Sequence, residues 1–173
     1  MARFTVLHLT LSDEMVDEIN NGGGWSCPCG AVYANLLMPP RDGAEDRPDN
    51  DAPDSLDQRI LEGLALRLYH VVAEVEVETL DRVFPLTNHI DHDWRENPGV
   101  VCVRGERVRS TSVGDLVLEH AGGSVYSCAP VGWTRVDNRV VVDAVRRLAR
   151  EPGIFDVSSG PHPAPAAEEG VLE

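Results

Sequence analysis

The stretch STSVGDLVLEHAGGSVYSCA, Ser110 to Ala129, carries the densest run of structural signals in the chain. Ser110 to Asp115 reads as a polar turn, because short hydroxyl and carboxylate side chains satisfy turn backbone groups. Leu116 to Glu119 then reads as a strand. Ala121-Gly122-Gly123 supplies a hairpin connection, and Ser124 to Ala129 returns as the partner. Pro130 cannot donate to a ladder, so Val131 to Val136 is expected as a bulged edge strand.

Upstream, Val100 to Val103 is a short apolar strand. Ala73, Val75 and Val77 alternate with Glu74, Glu76 and Glu78, the pattern of a strand with one wet face. Phe4 to Leu11 opens the chain as a further strand, with Phe4, Val6 and His8 on one face. Ser12 caps a helix carrying Met15, Val16 and Ile19, which Asn20-Asn21-Gly22-Gly23-Gly24 ends. Asp54 or Ser55 caps a second helix, whose Leu56, Ile60, Leu64 and Leu68 recur every four residues. Thr79 opens a third, with Leu80, Val83 and Phe84, that Pro85 ends or kinks. Asp137 caps a last one, with Val140, Val141, Ala144, Val145 and Leu148 on one face and Arg146, Arg147 and Arg150 near the C-terminus. Trp25 to Met38 fits neither period well: a Cys27-Pro28-Cys29-Gly30 turn precedes a short apolar run.

These elements predict an α+β fold in one domain over residues 1–150, with a small mixed or antiparallel sheet and about four helices. Within it, residues 82–136 form a β-rich module and residues 39–54 an exposed loop. Residues 151–173, rich in Pro, Ala, Gly and Glu, are expected to be a disordered acidic tail.

The chain has 173 residues, 42% hydrophobic and 25% charged, the balance of an ordinary globular protein. No run approaches the ~20 apolar residues needed to span a bilayer, and the first eleven residues lack a signal-peptide pattern. A cytoplasmic setting is the resulting expectation, with the four cysteines (Cys27, Cys29, Cys102, Cys128) as reduced thiols or metal ligands. The net charge of −14 is uneven: residues 82–150 carry ten arginines against eight acids, the remainder five against twenty-one. Such acidity disfavours general nucleic-acid binding. All basic residues are Arg, which points to a GC-rich, actinobacterial type of host.

Four kinds of chemistry follow from the residue types. Cys27 and Cys29 with His89 and His92 would give a Cys2His2 zinc site, although one residue between the cysteines is fewer than zinc knuckles use. Cys102 and Cys128, alone in strand-like runs, read as small hydrophobes. The Cys-Pro-Cys pair also suits redox chemistry, with glycine-rich flanks implying exposure, but no nearby cation lowers a thiol pKa. Ser110, Ser112, Asp115, His89 and His92 are the residue types of a hydrolytic site, yet no nucleophile-elbow or zincin motif accompanies them. Gly22 to Gly24 ends a helix and lacks the Lys-Ser/Thr of a phosphate loop. The remaining cluster of Thr87, Asn88, Trp94, Asn97, Arg109, Ser110, Ser112 and Asp115, with Trp133, would line a recognition surface or fix turns.

The strings Leu86-Thr87-Asn88-His89-Ile90-Asp91, Trp94, Glu96-Asn97-Pro98-Gly99-Val100, Arg109 to Asp115 and Val131-Gly132-Trp133 resemble a family of uncharacterised proteins of actinobacterial phages, plasmids and host genomes. More loosely, the segment is similar to YodL-like segments of conjugative-element proteins, which share the S-x-S-V-x-D turn and a later V-G-F/W. This resemblance covers about a third of the chain and implies a genomic setting without an activity. Pro85 and the Cys-Pro-Cys turn depart from that pattern.

The favoured expectation is a non-enzymatic accessory protein of a mobile element, binding a host or mobile-element protein with a basic surface in counter-defence or plasmid spread. Two alternatives stand beside it. One is a small enzyme built on Asn88, His89, His92, Ser112 and Asp115. The other is a β-barrel over residues 100–136 that binds a ligand or single-stranded nucleic acid through Arg104, Arg107, Arg109, Arg135 and Trp133.

Overall fold

The computed structural model describes residues 1–38, 55–88, 91–105 and 108–151. The exposed loop expected over 39–54, the tail beyond Glu151, and His89 and Arg107 lie outside the described residues. Strands β1 (Ala2–Leu9), β2 (Tyr69–Val77), β3 (Val100–Val103), β4 (Leu116–Glu119), β5 (Val125–Cys128) and β6 (Trp133–Val136) form one antiparallel sheet in the order β3-β2-β1-β4-β5-β6. Five α-helices accompany it: α1 (Asp13–Glu18), α2 (Pro28–Leu37), α3 (Leu56–Ala65), α4 (Val83–Thr87) and α5 (Arg139–Arg150). The expected α+β class in a single domain is what the chain adopts.

β1 is the central strand, and both its faces are covered. Leu7 and Leu9, with Leu116, Leu118, Val125 and Val136, pack beneath Leu36 of α2, Ile60 of α3 and Val141 and Val145 of α5. Phe4 and Val6, with Val75, Val77 and Val117, pack beneath Val83 of α4 and Trp94. A strand buried on both sides must pair whatever polar groups it carries. Thr5 meets His120 at 2.8 Å, and His8 meets Thr111 at 3.3 Å. A β-bulge in β2, opposite Val6 and Leu7, changes the side on which its alternating residues lie. Tyr69 therefore packs with the helical layer, while Ala73, Val75 and Val77 face the second cluster.

Several local expectations are corrected. Residues 28–37 form a regular helix capped by a cysteine: the Cys27 sulphur accepts from the Gly30 N–H at 3.3 Å, and Pro28 occupies the first turn, where no N–H is needed. Leu68 is not on α3, the helix expected to carry it, which stops at Ala65. Arg67 takes a left-handed φ of 56°, Leu68 N–H donates to Gly63 O and Arg67 N–H to Leu64 O. This is a Schellman close, and Leu68 is the buried apolar residue that accompanies it. α5 is capped by Asn138, one residue after Asp137, and Val140 is 62% exposed instead of facing the core. Thr79 opens a 3-10 turn, Leu80–Arg82, with no side-chain cap, and α4 follows. Pro85 sits early in α4, within the first turn.

The residue 100–136 segment does not close into a barrel. β3 and β6, its first and last strands, are the two opposite edges of an open sheet. Among the described residues, no helix is long and apolar enough to cross a membrane.

Candidate functional site

Six of the residues singled out in the sequence meet at one place, where β1 ends and β4 begins. The ladder between these strands runs from Phe4↔Glu119 to Leu7↔Leu116 and stops there. Leu9, two residues further on, has no backbone partner on that side. Its N–H donates to Asp115 Oδ1 at 2.8 Å, and its carbonyl accepts from Arg109 Nη2 at 2.9 Å. Asp115 and Arg109 also grip each other as a fork, with Nη2 to Oδ1 at 2.6 Å and Nη1 to Oδ2 at 2.7 Å. The pair thus continues the ladder with side chains where the backbone has turned away.

The turn itself is shaped by Asp115. Its Oδ2 accepts the Ser112 N–H at 2.7 Å, and its own N–H donates to Ser112 O at 3.1 Å. Gly114, between them, has a φ of +87°, and a Cβ there would stand 3.0 Å from Leu36 O and 3.2 Å from Leu9 Cδ2. Only glycine meets both demands. Tyr69 Oη donates to Gly114 O at 3.1 Å, tying β2 to the same turn.

A chain of hydroxyls leads from here to α4. Thr87 Oγ1 donates to Val83 O at 2.9 Å, so the 2.7 Å contact between Thr87 and Thr111 uses the Thr111 proton. With that proton assigned, His8 Nε2 must be the donor to Thr111 Oγ1, which fixes the neutral Nε2–H tautomer. Asn88 Nδ2 donates to Thr111 O at 3.2 Å. Every side chain from His8 to Thr87 is therefore oriented by a neighbour.

Electrostatics agree with this assignment. Burial holds His8 down to about 4, and Arg109 adds to the shift while Asp115 opposes it. Burial works against the Arg109 charge, but the Asp115 carboxylate prevails and raises its pKa. The Cys128 thiol is raised to about 11 by burial, then by Asp115, with Arg109 opposing.

The other candidates lie elsewhere. Trp94 packs its ring 6.4 Å from that of His8 but donates to nothing there. Asn97 Nδ2 donates to Leu86 O at 2.7 Å and its Oδ1 meets His92 Nε2 at 2.6 Å, so it fixes the end of α4. Trp133 belongs to edge strand β6 and half-covers the second apolar cluster. Ser110 contributes its carbonyl, which accepts from Arg109 Nη1 at 2.8 Å, and exposed Ser112 contributes its N–H. Sequence reading passed over His8, Tyr69 and Thr111 as partners. A histidine in an apolar strand was the one available signal.

The cysteines are also rearranged. Cys27 and Cys29 are buried, against the exposure expected of their glycine-rich flanks, and their sulphurs lie 3.2 Å apart. Glu18, at the end of α1, joins them: its Oε2 is 3.8 Å from Cys29 Sγ. Among the described residues this trio is the one group of His, Cys, Asp or Glu side chains close enough to share a metal ion, and His92 is not part of it. Cys102 is exposed, so only Cys128 of the remaining pair is the buried apolar thiol expected.

Chemically, the network is saturated. Asp115 has no exposed surface, and four donors fill its oxygens. A carboxylate in that state has no free lone pair for a substrate proton. Two surface cavities of about 420 and 430 Å³ lie away from it, one lined by Gly123, Arg135, Arg139 and Arg146, the other by Glu76, Arg82, Leu86 and Asn97. No family model, curated protein or solved structure matches the chain.

Proposed function

We propose that this chain is an accessory protein of a mobile genetic element, phage or plasmid, that acts by binding another protein with a basic surface. The observation that carries the binding role is the state of α1. This helix buries none of its residues and exposes Asp13, Glu14 and Asp17. Beside it, Trp25 is 57% exposed and stacks on Tyr33 of α2, with ring centroids 6.3 Å apart. Carboxylates beside a solvated aromatic step suit a partner that offers cations around an apolar recess. The genomic setting rests on the sequence resemblance of residues 86–133 to mobile-element proteins. Blocking the basic groove of a nucleic-acid-processing enzyme is the form of counter-defence this surface suits.

The other two functions are less well supported. An enzyme built on Asn88, His92, Ser112 and Asp115 would need an open, unsaturated site, whereas Asp115 is enclosed and His92 bonds Asn97. Nucleic-acid binding would need free arginines, whereas Arg109 is held by Asp115, Arg104 lies 3.6 Å from Glu74, and Arg135 lies 3.3 Å from Asp137.

The test is affinity capture from nuclease-treated host lysate with the full chain. A variant carrying Asp13→Asn, Glu14→Gln and Asp17→Asn, and a separate Trp25→Ala variant, serve as comparisons. A partner retained by the parent, lost from both variants and released by moderate salt supports the reading. Retention unchanged in the variants, or no partner at all, overturns it.

A further inference from the structure

The Cys27–Cys29–Glu18 trio lies between α1 and the start of α2, and neither the polar network nor the binding surface requires it. Its three donors come from two elements and lie within 4.8 Å of one another. We propose that they form a binding site for a soft divalent cation, zinc in the first instance, with two thiolates and one carboxylate as ligands and a fourth position open to water.

The distances fit that geometry closely. Zn–S bonds of ~2.3 Å at a tetrahedral angle place two sulphurs about 3.8 Å apart, and a Zn–O bond of ~2.0 Å places sulphur and oxygen about 3.5 Å apart. The sulphurs stand at 3.2 Å and the Cys29 sulphur stands 3.8 Å from the Glu18 oxygen. These two separations need changes of about 0.6 and 0.3 Å to admit the ion. The backbone is already set for it. Cys27 holds an extended conformation with its sulphur accepting from the Gly30 N–H.

Filling the site displaces the thiol protons, so binding is expected to tighten as pH rises. The single intervening residue, Pro28, at the start of a helix, limits how far the two sulphurs can part.

The experiment uses the full chain, reduced and stripped with chelator, titrated with cobalt(II) and then zinc(II). One cobalt per chain, with near-ultraviolet sulphur-to-cobalt absorption that zinc abolishes, is the expected result. Changes in groups that only support ligands already cost ~10–100-fold in affinity, so Cys27→Ser or Cys29→Ala is expected to weaken binding ~100-fold or more. Serine keeps the cap of α2, so circular dichroism of Cys27→Ser should match the parent, separating ligand loss from misfolding. Glu18→Gln should retain the sulphur-to-cobalt band while weakening binding ~10-fold. Absence of the band in fully reduced protein, or a band unchanged in the cysteine variants, overturns the proposal.

Discussion

Asp115 and Arg109 show how much one side-chain pair can carry when it substitutes for backbone. The carboxylate is enclosed and accepts four donors, two of them backbone N–H groups from segments 106 and three residues away. Removing one member of such a pair strands the other. Asp115→Asn and Arg109→Met are each expected to lower unfolding free energy by ~3–5 kcal/mol, measured by chemical denaturation. Ser112→Ala, by contrast, should change it by less than ~0.5 kcal/mol, because Ser112 bonds Asp115 through its backbone. A loss at Ser112 as large as that at Asp115 would contradict the structural role assigned to the turn.

His8 gives the residue scale its pH dependence. Its folded pKa, about 4, lies below the ordinary value of 6.5, so the unfolded chain binds the proton more readily. The stability from the neutral ring is complete above pH 6.5 and is lost progressively as pH falls toward 4. The loss is on the order of a few kcal/mol. The denaturation midpoint should therefore drop between pH 7 and pH 4.5, and His8→Gln should flatten that drop. An unchanged slope in the variant would show that other groups set it.

Among the elements, α3 and the turn after Val113 offer opposite expectations. Arg67 holds a left-handed conformation that costs a residue with a Cβ about 1 kcal/mol. Arg67→Gly is expected to stabilise by ~0.5–1 kcal/mol, read as a raised denaturation midpoint. Gly114→Ala meets both a positive φ and a carbonyl at 3.0 Å, so it should destabilise by ~2 kcal/mol or more. What the sequence made legible divides along the same lines. β1, β2 and the Leu116–Cys128 hairpin were readable because alternation and Gly-Gly connections are local signals. α2 was hidden because its cap is a cysteine, not one of the usual Ser, Thr, Asp or Asn, and its apolar run is short. Leu68 mimics a residue of α3 because a Schellman close keeps an apolar residue near helical spacing. The Asp115–Ser112 turn was visible in three-residue spacing; its partners His8 and Leu9, over a hundred residues away, were not.

For the whole molecule, charge is the feature with consequences beyond any one contact. A net charge of −14 is concentrated outside residues 82–150, and like charges repel in the compact state. Raising sodium chloride from ~10 mM to ~0.5 M shortens the Debye length from about 30 Å to a few ångströms, and should raise the thermal midpoint. A midpoint that falls with salt would place the ion pairs ahead of the repulsion. The open sheet has an effect of another kind, on the order of events during synthesis. β1 leaves the ribosome before both of its neighbours, β2 and β4, and Leu9 waits for a carboxylate 106 residues downstream. At ~5–20 residues per second, that partner follows about 5–20 s later. Through that interval a strand apolar on both faces has at most one neighbour, the kind of exposed surface that makes a nascent chain prone to aggregate before it folds.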